Sequence, residues 1–369
     1  MRVRGWLSWG RRARVGAALA ALLTGLVPPT VLLTPGAAGA ATGASVCQIR
    51  DDRLTEISGM VATDDGYVVV NDGADNEARR RIFFLDDRCA VQRTVSYPSR
   101  PRDTEDLAIG RDGTIWVADI GDNDRTRETI GLWRLAPGAD QPVLYRMTYP
   151  DRPHDAEAML LDGEGRPLII TKGGSGTVYL YAPTTALKPD GTTALALVGQ
   201  VSLPSTTTSN PYSFVGRNVI TGGASAPDGR RVALRSYADA FEYDVSNGDV
   251  VAALTGGTPR IVALPDEPQG ESITYSRDGR SLLTVSESAS QPGTRPTILR
   301  YPASSTPTPT SPPAESAAEA PPPSTSGSPA AQASGLDVRQ FWPLMAGGGT
   351  LLALLAVGAV LWRRHTLRR

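Results

Sequence analysis

The stretch from Thr104 to Asn123 reads TEDLAIGRDGTIWVADIGDN. Two short apolar runs, LAI and TIWVA, flank an Arg-Asp-Gly segment, which is the pattern of a β-hairpin with a turn glycine at positive φ. Five acidic side chains crowd the same twenty positions: Glu105, Asp106, Asp112, Asp119 and Asp122. Either these carboxylates mark a site, or the stretch is one unit of a repeat whose acids sit in solvated turns. Recurrence elsewhere in the chain decides the fold and bears on the site.

The pattern recurs. EISGMVATDDGYVVVNDG starts at Glu56, EAMLLDGEGRPLIITKGG at Glu157, TGGASAPDGRRVALRSY at Thr221 and ESITYSRDGRSLLTVSES at Glu271. The turn glycines Gly66, Gly113, Gly165, Gly229 and Gly279 stand 47, 52, 64 and 50 residues apart. Each unit goes on to a third strand-like run: RIFFLD, GLWRLA, TVYLYA, AFEYDV or TILRYP. Four units have a fourth: VQRTVSYP, PVLYRMTYP, LALVGQVSLP and PRIVALP. Self-similarity at this period, with strands and tight turns but no amphipathic helices, is that of propeller blades. The expected fold class is all-β, a β-propeller of five blades over residues 41–302. A sixth, degenerate blade inside the 64-residue interval is the alternative, and an open β-sandwich is the competing architecture. The last unit lacks a fourth strand, and Cys47 to Arg50 is expected to supply it, closing the ring and removing an exposed edge.

Outside the repeat, both ends are legible. Five arginines, the apolar run VGAALAALLTGLVPPTVLL and a small-residue exit predict a secretory signal peptide over residues 1–40. Residues 303–335, rich in Pro, Ser, Thr and Ala, predict a disordered linker. Residues 343–362 are long and apolar enough to cross a bilayer once, and 363–369 form a basic tail. Arginine on that side alone predicts a cytoplasmic C-terminus with the propeller outside. Residues 41–335 carry 27 basic and 37 acidic side chains, a balance that argues against nucleic acid as a partner. The partner expected is an extracellular ligand or protein, with the membrane engaged through the single span. Cys47 and Cys89 face an oxidising compartment, and a disulfide between them is expected.

ISGM and NDG in the first unit, EDLAIGRDGTIWVADIGDN, HDAEAML, PDGRRVALRSY and QGESITYSRDGRSLL together resemble secreted bacterial β-propeller proteins of the phytase-like ("esterase-like activity of phytase") type. The resemblance spans roughly residues 47–302. It implies a propeller fold and, for true phytases of this kind, calcium held by carboxylates at one face of the channel for hydrolysis of phosphate esters. Fold analogy does not by itself carry that reaction to this chain.

In an up-and-down sheet, the start of the first strand and the end of the second share an edge. Glu105 is therefore expected beside Asp119, Glu157 near Lys172 and Glu271 near Glu287. First strands line a propeller's channel, so Glu105, Glu157 and Glu271 are expected at one mouth. Crowded carboxylates repel, and a hard cation with oxygen ligands relieves that cost. Calcium is the candidate cofactor, with Glu105, Glu157, Glu271, Asp119 and Asp122 as candidate ligands. Asn71, Asp72, Asn123, His154, Lys172 and Arg235 are the candidate ligand-binding residues of the same face. The competing reading has these acids solvated or bonded to turn amides. Ser58 and Thr221 stand where the other units carry glutamate, a departure from a regular acidic ring.

Three reaction classes make different demands on these residues. A Ser-His-Asp set requires a histidine, and His154 is the only one between residues 41 and 302. Metal-assisted phosphoester hydrolysis requires cations beside the metal, a role open to Lys172 and Arg235. Glycoside hydrolysis by Glu105 and Glu157 lacks an evident aromatic platform, since Trp116 and Trp133 lie within strands. A binding or interaction module is the preferred reading, with a calcium-dependent phosphoesterase as the alternative.

Overall fold

A computed structural model describes residues 43–303 apart from Ala74 and Pro292. The expected signal peptide, the linker beyond Ala303, the membrane span and the tail lie outside the described residues. Among the described residues no helix is long and apolar enough to cross a membrane.

The chain opens with β1 (Ala44–Gln48), then builds a four-stranded antiparallel sheet from β2 (Ile57–Thr63), β3 (Gly66–Asn71), β4 (Arg81–Leu85) and β5 (Val91–Ser96). A second meander follows in β6 (Asp106–Ile109), β7 (Ile115–Asp119), β8 (Ile130–Leu135) and β9 (Val143–Thr148). A third comprises β10 (Ala156–Leu161), β11 (Pro167–Thr171), β12 (Thr177–Pro183) and β13 (Thr192–Ser202). The outer strands β9 and β13 pair in parallel from Arg146 to Thr148, fusing these two meanders into one eight-stranded sheet and covering two edges that would otherwise be open. After α1 (Ser213–Arg217) come β14 (Gly222–Ser225), β15 (Arg231–Arg235), β16 (Asp239–Asp244), α2 (Val250–Gly256) and β17 (Arg260–Ala263). β14 to β17 form another four-stranded sheet. The last sheet is β18 (Gly270–Tyr275), β19 (Ser281–Ser286) and β20 (Thr297–Pro302), completed by β1 on the outside of β20.

Each hairpin between the first two strands turns on Asp-Gly or Glu-Gly. Gly113 at φ 80° and Gly229 at φ 67° occupy a region that a Cβ penalises. The returning strands are buried on both faces, as in VVV of β3 or LII of β11, so one sheet packs against a neighbour on either side. Adjacent sheets share apolar cores in a closed cycle. Val68 and Ile82 of the first sheet meet Val117 and Trp133 of the second, while Phe83 and Val69 meet Leu283 and Ile298 of the last. The first strands β2, β6, β10, β14 and β18 likewise neighbour one another in a ring that returns to β2. This is the architecture of a β-propeller, and it excludes a two-layer sandwich.

The inner ring is tight. A Cβ on Gly222 would sit 2.2 Å from the Glu271 carbonyl oxygen, so only glycine lets β14 approach β18. The fully buried Asp106 carboxylate accepts amide hydrogen bonds from Met159 (2.8 Å) of β10 and Gly223 (3.1 Å) of β14, tying three inner strands together. Ring closure has two further components. β1 pairs with β20 from Ala44 to Gln48, slightly earlier in the chain than the expected Cys47–Arg50. The Cys47–Cys89 disulfide, with Cα atoms 5.8 Å apart, then joins β1 of the last sheet to the β4–β5 turn of the first. The extra length of the 64-residue interval goes into the eleven-residue β13 and the segment carrying α1.

Candidate functional site

The first strands all start at one mouth of the ring, and there the carboxylates gather. Glu105 immediately precedes β6, and its amide bonds to the Ala118 carbonyl (2.8 Å) at the end of β7. Its side chain is 4% exposed and, among the described residues, has no hydrogen-bond partner. Glu105, Asp103 and Asp72 each present an oxygen within 4.8 Å of the others. Gly121 makes this possible, since a Cβ there would meet Glu105 Oε1 at 2.0 Å and Asp103 Oδ2 at 2.6 Å. Burial, then the charges of Glu157, Asp72, Asp103 and Glu271, push the Glu105 carboxyl well above its ordinary range. Burial and the adjacent Asp72 push Asp103 up to about 8.

Glu157 and Glu271 reach the same mouth from β10 and β18. Glu157 binds the ammonium of Lys172, which is also 3.9 Å from Asp155. Burial opposes the charge on Lys172, yet Glu157, Asp155 and Glu105 together raise its pKa. Glu271 accepts from the Tyr237 hydroxyl (3.1 Å) and the Gln269 amide (3.2 Å), and burial and the Glu271 charge push the neighbouring Glu287 carboxyl well up. Burial, then Asp72, raise the Glu271 pKa. The result is a buried set of acids, offset chiefly by one lysine. It can hold protons, or it can hold a hard cation; leaving every acid ionised would be costly.

Other expected site residues are engaged elsewhere. Asp119 lies across the hairpin from Glu105, but its side chain pairs with Arg127 (3.0 Å) and accepts from the amides of Arg102 and Asp103 and from Trp133 Nε1. Asp122 accepts from the amides of Thr126 and Arg127 (both 2.9 Å), folding its own loop. Among the described residues, the group of three carboxylates with oxygens within 4.8 Å of one another is Asp72, Asp103 and Glu105, while the oxygens of Asp119 and Asp122 are engaged in these scaffold contacts. Arg235 is fully buried, bonded to Glu267 (2.6 Å) and the Ser272 carbonyl (2.7 Å), and is engaged likewise. Asn71 is buried on the carbonyls of Arg53 and Arg79 and holds the loop entering β2. Asn123 is exposed in the β7–β8 loop. His154 turns to Asp151 (3.0 Å) and the Tyr181 hydroxyl (2.8 Å), with Tyr149 edge-on at 4.9 Å, so it caps its loop rather than meeting the acids. Of the ligand-binding candidates, Asp72 and Lys172 stand at the mouth.

Asp103 was not among the expected residues. The signal was nonetheless present: it precedes Glu105 by two positions, and in an extended chain such residues share a face. At the far mouth, the hairpin turns surround a cleft of about 930 Å³, lined among others by Asp64, Arg111, Trp116, Glu164 and Arg277. Its charges are mixed, and Arg277 is paired with Asp64 (2.8 Å), so size alone does not make it the site.

No protein-family model and no curated protein matches this sequence. Among solved structures, the chain is similar to the PQQ-bound aldose sugar dehydrogenase of Streptomyces coelicolor, at 13% identity and a TM-score of 0.37, over 70% of this chain and 96% of that one. It is similar to a gluconolactonase of Xanthomonas campestris at 15% identity and a TM-score of 0.38, over 66% of this chain and 71% of the other. The WD40 repeats of RRP9 give 11% identity and a TM-score of 0.38, over 71% and 98%. These neighbours are β-propeller proteins, and likeness at this level brings neither substrate nor partner to this chain.

Proposed function

We propose that this protein is an exported, membrane-anchored propeller of five blades, akin to the phytase-like type, that works as a ligand-binding or interaction module stiffened by calcium. The closed cycle of inner strands supports the blade count, with β1 as the last blade's fourth strand. The signal-like start and the apolar stretch 343–362 support export and anchoring.

The observation that carries the cation is Glu105: buried, without a hydrogen-bond partner among the described residues, and aimed at Asp72 and Asp103. Calcium takes six to eight oxygens at roughly 2.3–2.6 Å, so oxygens sharing one ion lie within about 5 Å of each other. The three carboxylates meet that condition. Asp72, Asp103 and Glu105 would hold the ion, which would offset their mutual repulsion and lock the first two blades at the mouth. Thermal unfolding of the full-length protein with calcium or with chelator tests this. A calcium-dependent rise in Tm that disappears in Glu105→Gln is expected; an unchanged wild-type Tm would remove the metal.

Lys172 at the mouth favours one second reading, a calcium-dependent phosphoesterase in which this ammonium meets a phosphate oxygen. Its engagement with Glu157, and the commitment of Arg235 to Glu267, weigh against it. Calcium-dependent release of phosphate from an aryl phosphate, abolished by Lys172→Met, would establish this reading over the first.

A further inference from the structure

Seven large apolar side chains stand exposed among the described residues, and three of them, Tyr212, Phe214 and Val215, fall within four consecutive positions. Phe214 is 65% exposed and Val215 49%. They ride on the segment between β13 and β14. In a sheet whose first strand starts at the carboxylate mouth, the fourth ends there too, so this segment overhangs the mouth.

The contacts agree. Tyr212 packs on Tyr237 with ring centroids 4.4 Å apart and donates to Gln269 (3.2 Å), while Tyr237 donates to Glu271. The segment is held in place rather than loose. Thr206 and Thr208 both donate to Asp239 (2.6 Å), the Asn210 side chain bridges the carbonyls of Thr208 and Ser213, and the Tyr237 amide reaches the Gly216 carbonyl (3.0 Å). Ser213 adopts φ 52°, a conformation unfavourable for a side chain with a Cβ, at the position just before Phe214. A rigid, partly strained segment thus keeps an apolar pair in water beside a cup of carboxylates.

Exposed apolar groups clustered on a fixed loop mark a contact surface. The acids next to them select the partner's charge. We infer that the 210–218 segment docks an extracellular polypeptide that lays an aliphatic or aromatic side chain on Phe214 and Val215. A lysine or arginine of the same polypeptide enters the mouth beside Tyr212, Tyr237 and Glu271. The tyrosine faces add cation–π attraction, and the buried carboxyls of Glu271 and Glu287 face the incoming charge. An inorganic cation uses only the cup, and an anionic lipid surface is repelled by it. This inference rests on the interaction-module reading, but not on the calcium.

The test is selection of a displayed random-peptide library on the full-length protein in calcium, followed by fluorescence anisotropy of the selected peptides. Enrichment of Lys or Arg adjacent to Leu, Ile, Phe, Tyr or Trp is expected, with affinity falling about tenfold or more in Phe214→Ser/Val215→Ser and in Glu287→Gln. Absence of such enrichment, or undiminished binding to the Phe214→Ser/Val215→Ser protein, overturns the docking surface. Equal binding of lysine amide overturns the polypeptide and leaves a small-cation site. The calcium-induced Tm shift, measured on the same proteins, is expected to survive Phe214→Ser/Val215→Ser. Failed selection with that shift intact refutes the docking alone, whereas a lost wild-type shift refutes only the metal.

Discussion

Replacing Asp103 with asparagine should stabilise the metal-free protein at neutral pH. Burial, then the charge of Asp72 and a hydrogen bond to it, raise the Asp103 pKa from 3.8 to about 8. A group raised in the folded state contributes stability that is fully present below its unfolded pKa and lost as pH climbs through the folded one. From 3.8 to neutrality is about three pH units, or ~4 kcal/mol gross at about 1.4 kcal/mol per unit. Asp103 is partly exposed, and solvent screening reduces this to ~2 kcal/mol. For a domain of this size, that corresponds to a rise in Tm of about 4–8 °C for Asp103→Asn near pH 7. In chelator, the gain should shrink as pH falls toward 3.8 and vanish below about 3, where wild-type Asp103 is protonated in both states. With calcium the order should reverse, because the variant has lost a ligand. Circular dichroism melts at several pH values, with and without calcium, measure all of this. A variant that is less stable than wild type in chelator at every pH would refute the picture of a mutually repelling, half-buried cluster.

Three further outcomes are expected. Reducing the Cys47–Cys89 bridge, or Cys89→Ser, should cost about 4 kcal/mol, since the sequence separation of 42 sets the loop entropy released to the unfolded chain; urea melts with and without reductant give the value. Glu267→Ala strands the fully buried Arg235 without its counter-charge and should cost about 3–5 kcal/mol, read as a lower denaturation midpoint, while Glu267→Gln should cost less. Asp119→Asn should lower stability through its contact with Arg127 yet leave the calcium-induced Tm shift intact, unlike Glu105→Gln; loss of that shift would return Asp119 to the cation's ligands.

The strands were legible because their causes are local. YVVV, TIWV, PLII, RVAL and SLLTV each follow a turn that demands positive φ, and each became the second strand of a sheet. Even the completing strand could be inferred, because a missing fourth run in the last unit implies an open edge. The fates of individual acids were less legible. Asp119 and Glu105 belong to the same hairpin and carry the same charge, yet one is neutralised by Arg127 eight residues on and the other by no hydrogen bond among the described residues. Arg235 was expected at the mouth from its place at a strand end, but it lies inside the wall because Glu267, from a loop in the next repeat, waits there.

Hairpin turns, two-faced strands and a returning period are short-range consequences of residue type, and the chain spells them out unit by unit. Contacts between repeats, such as Glu267 with Arg235 or Gly223 with Asp106, join residues 32 and 117 positions apart. Only closure of the ring brings those neighbours within reach. Arg127, eight residues on, makes Asp119 a scaffold residue, whereas burial beside Glu157 and Glu271 of other repeats makes Glu105 a candidate cation ligand.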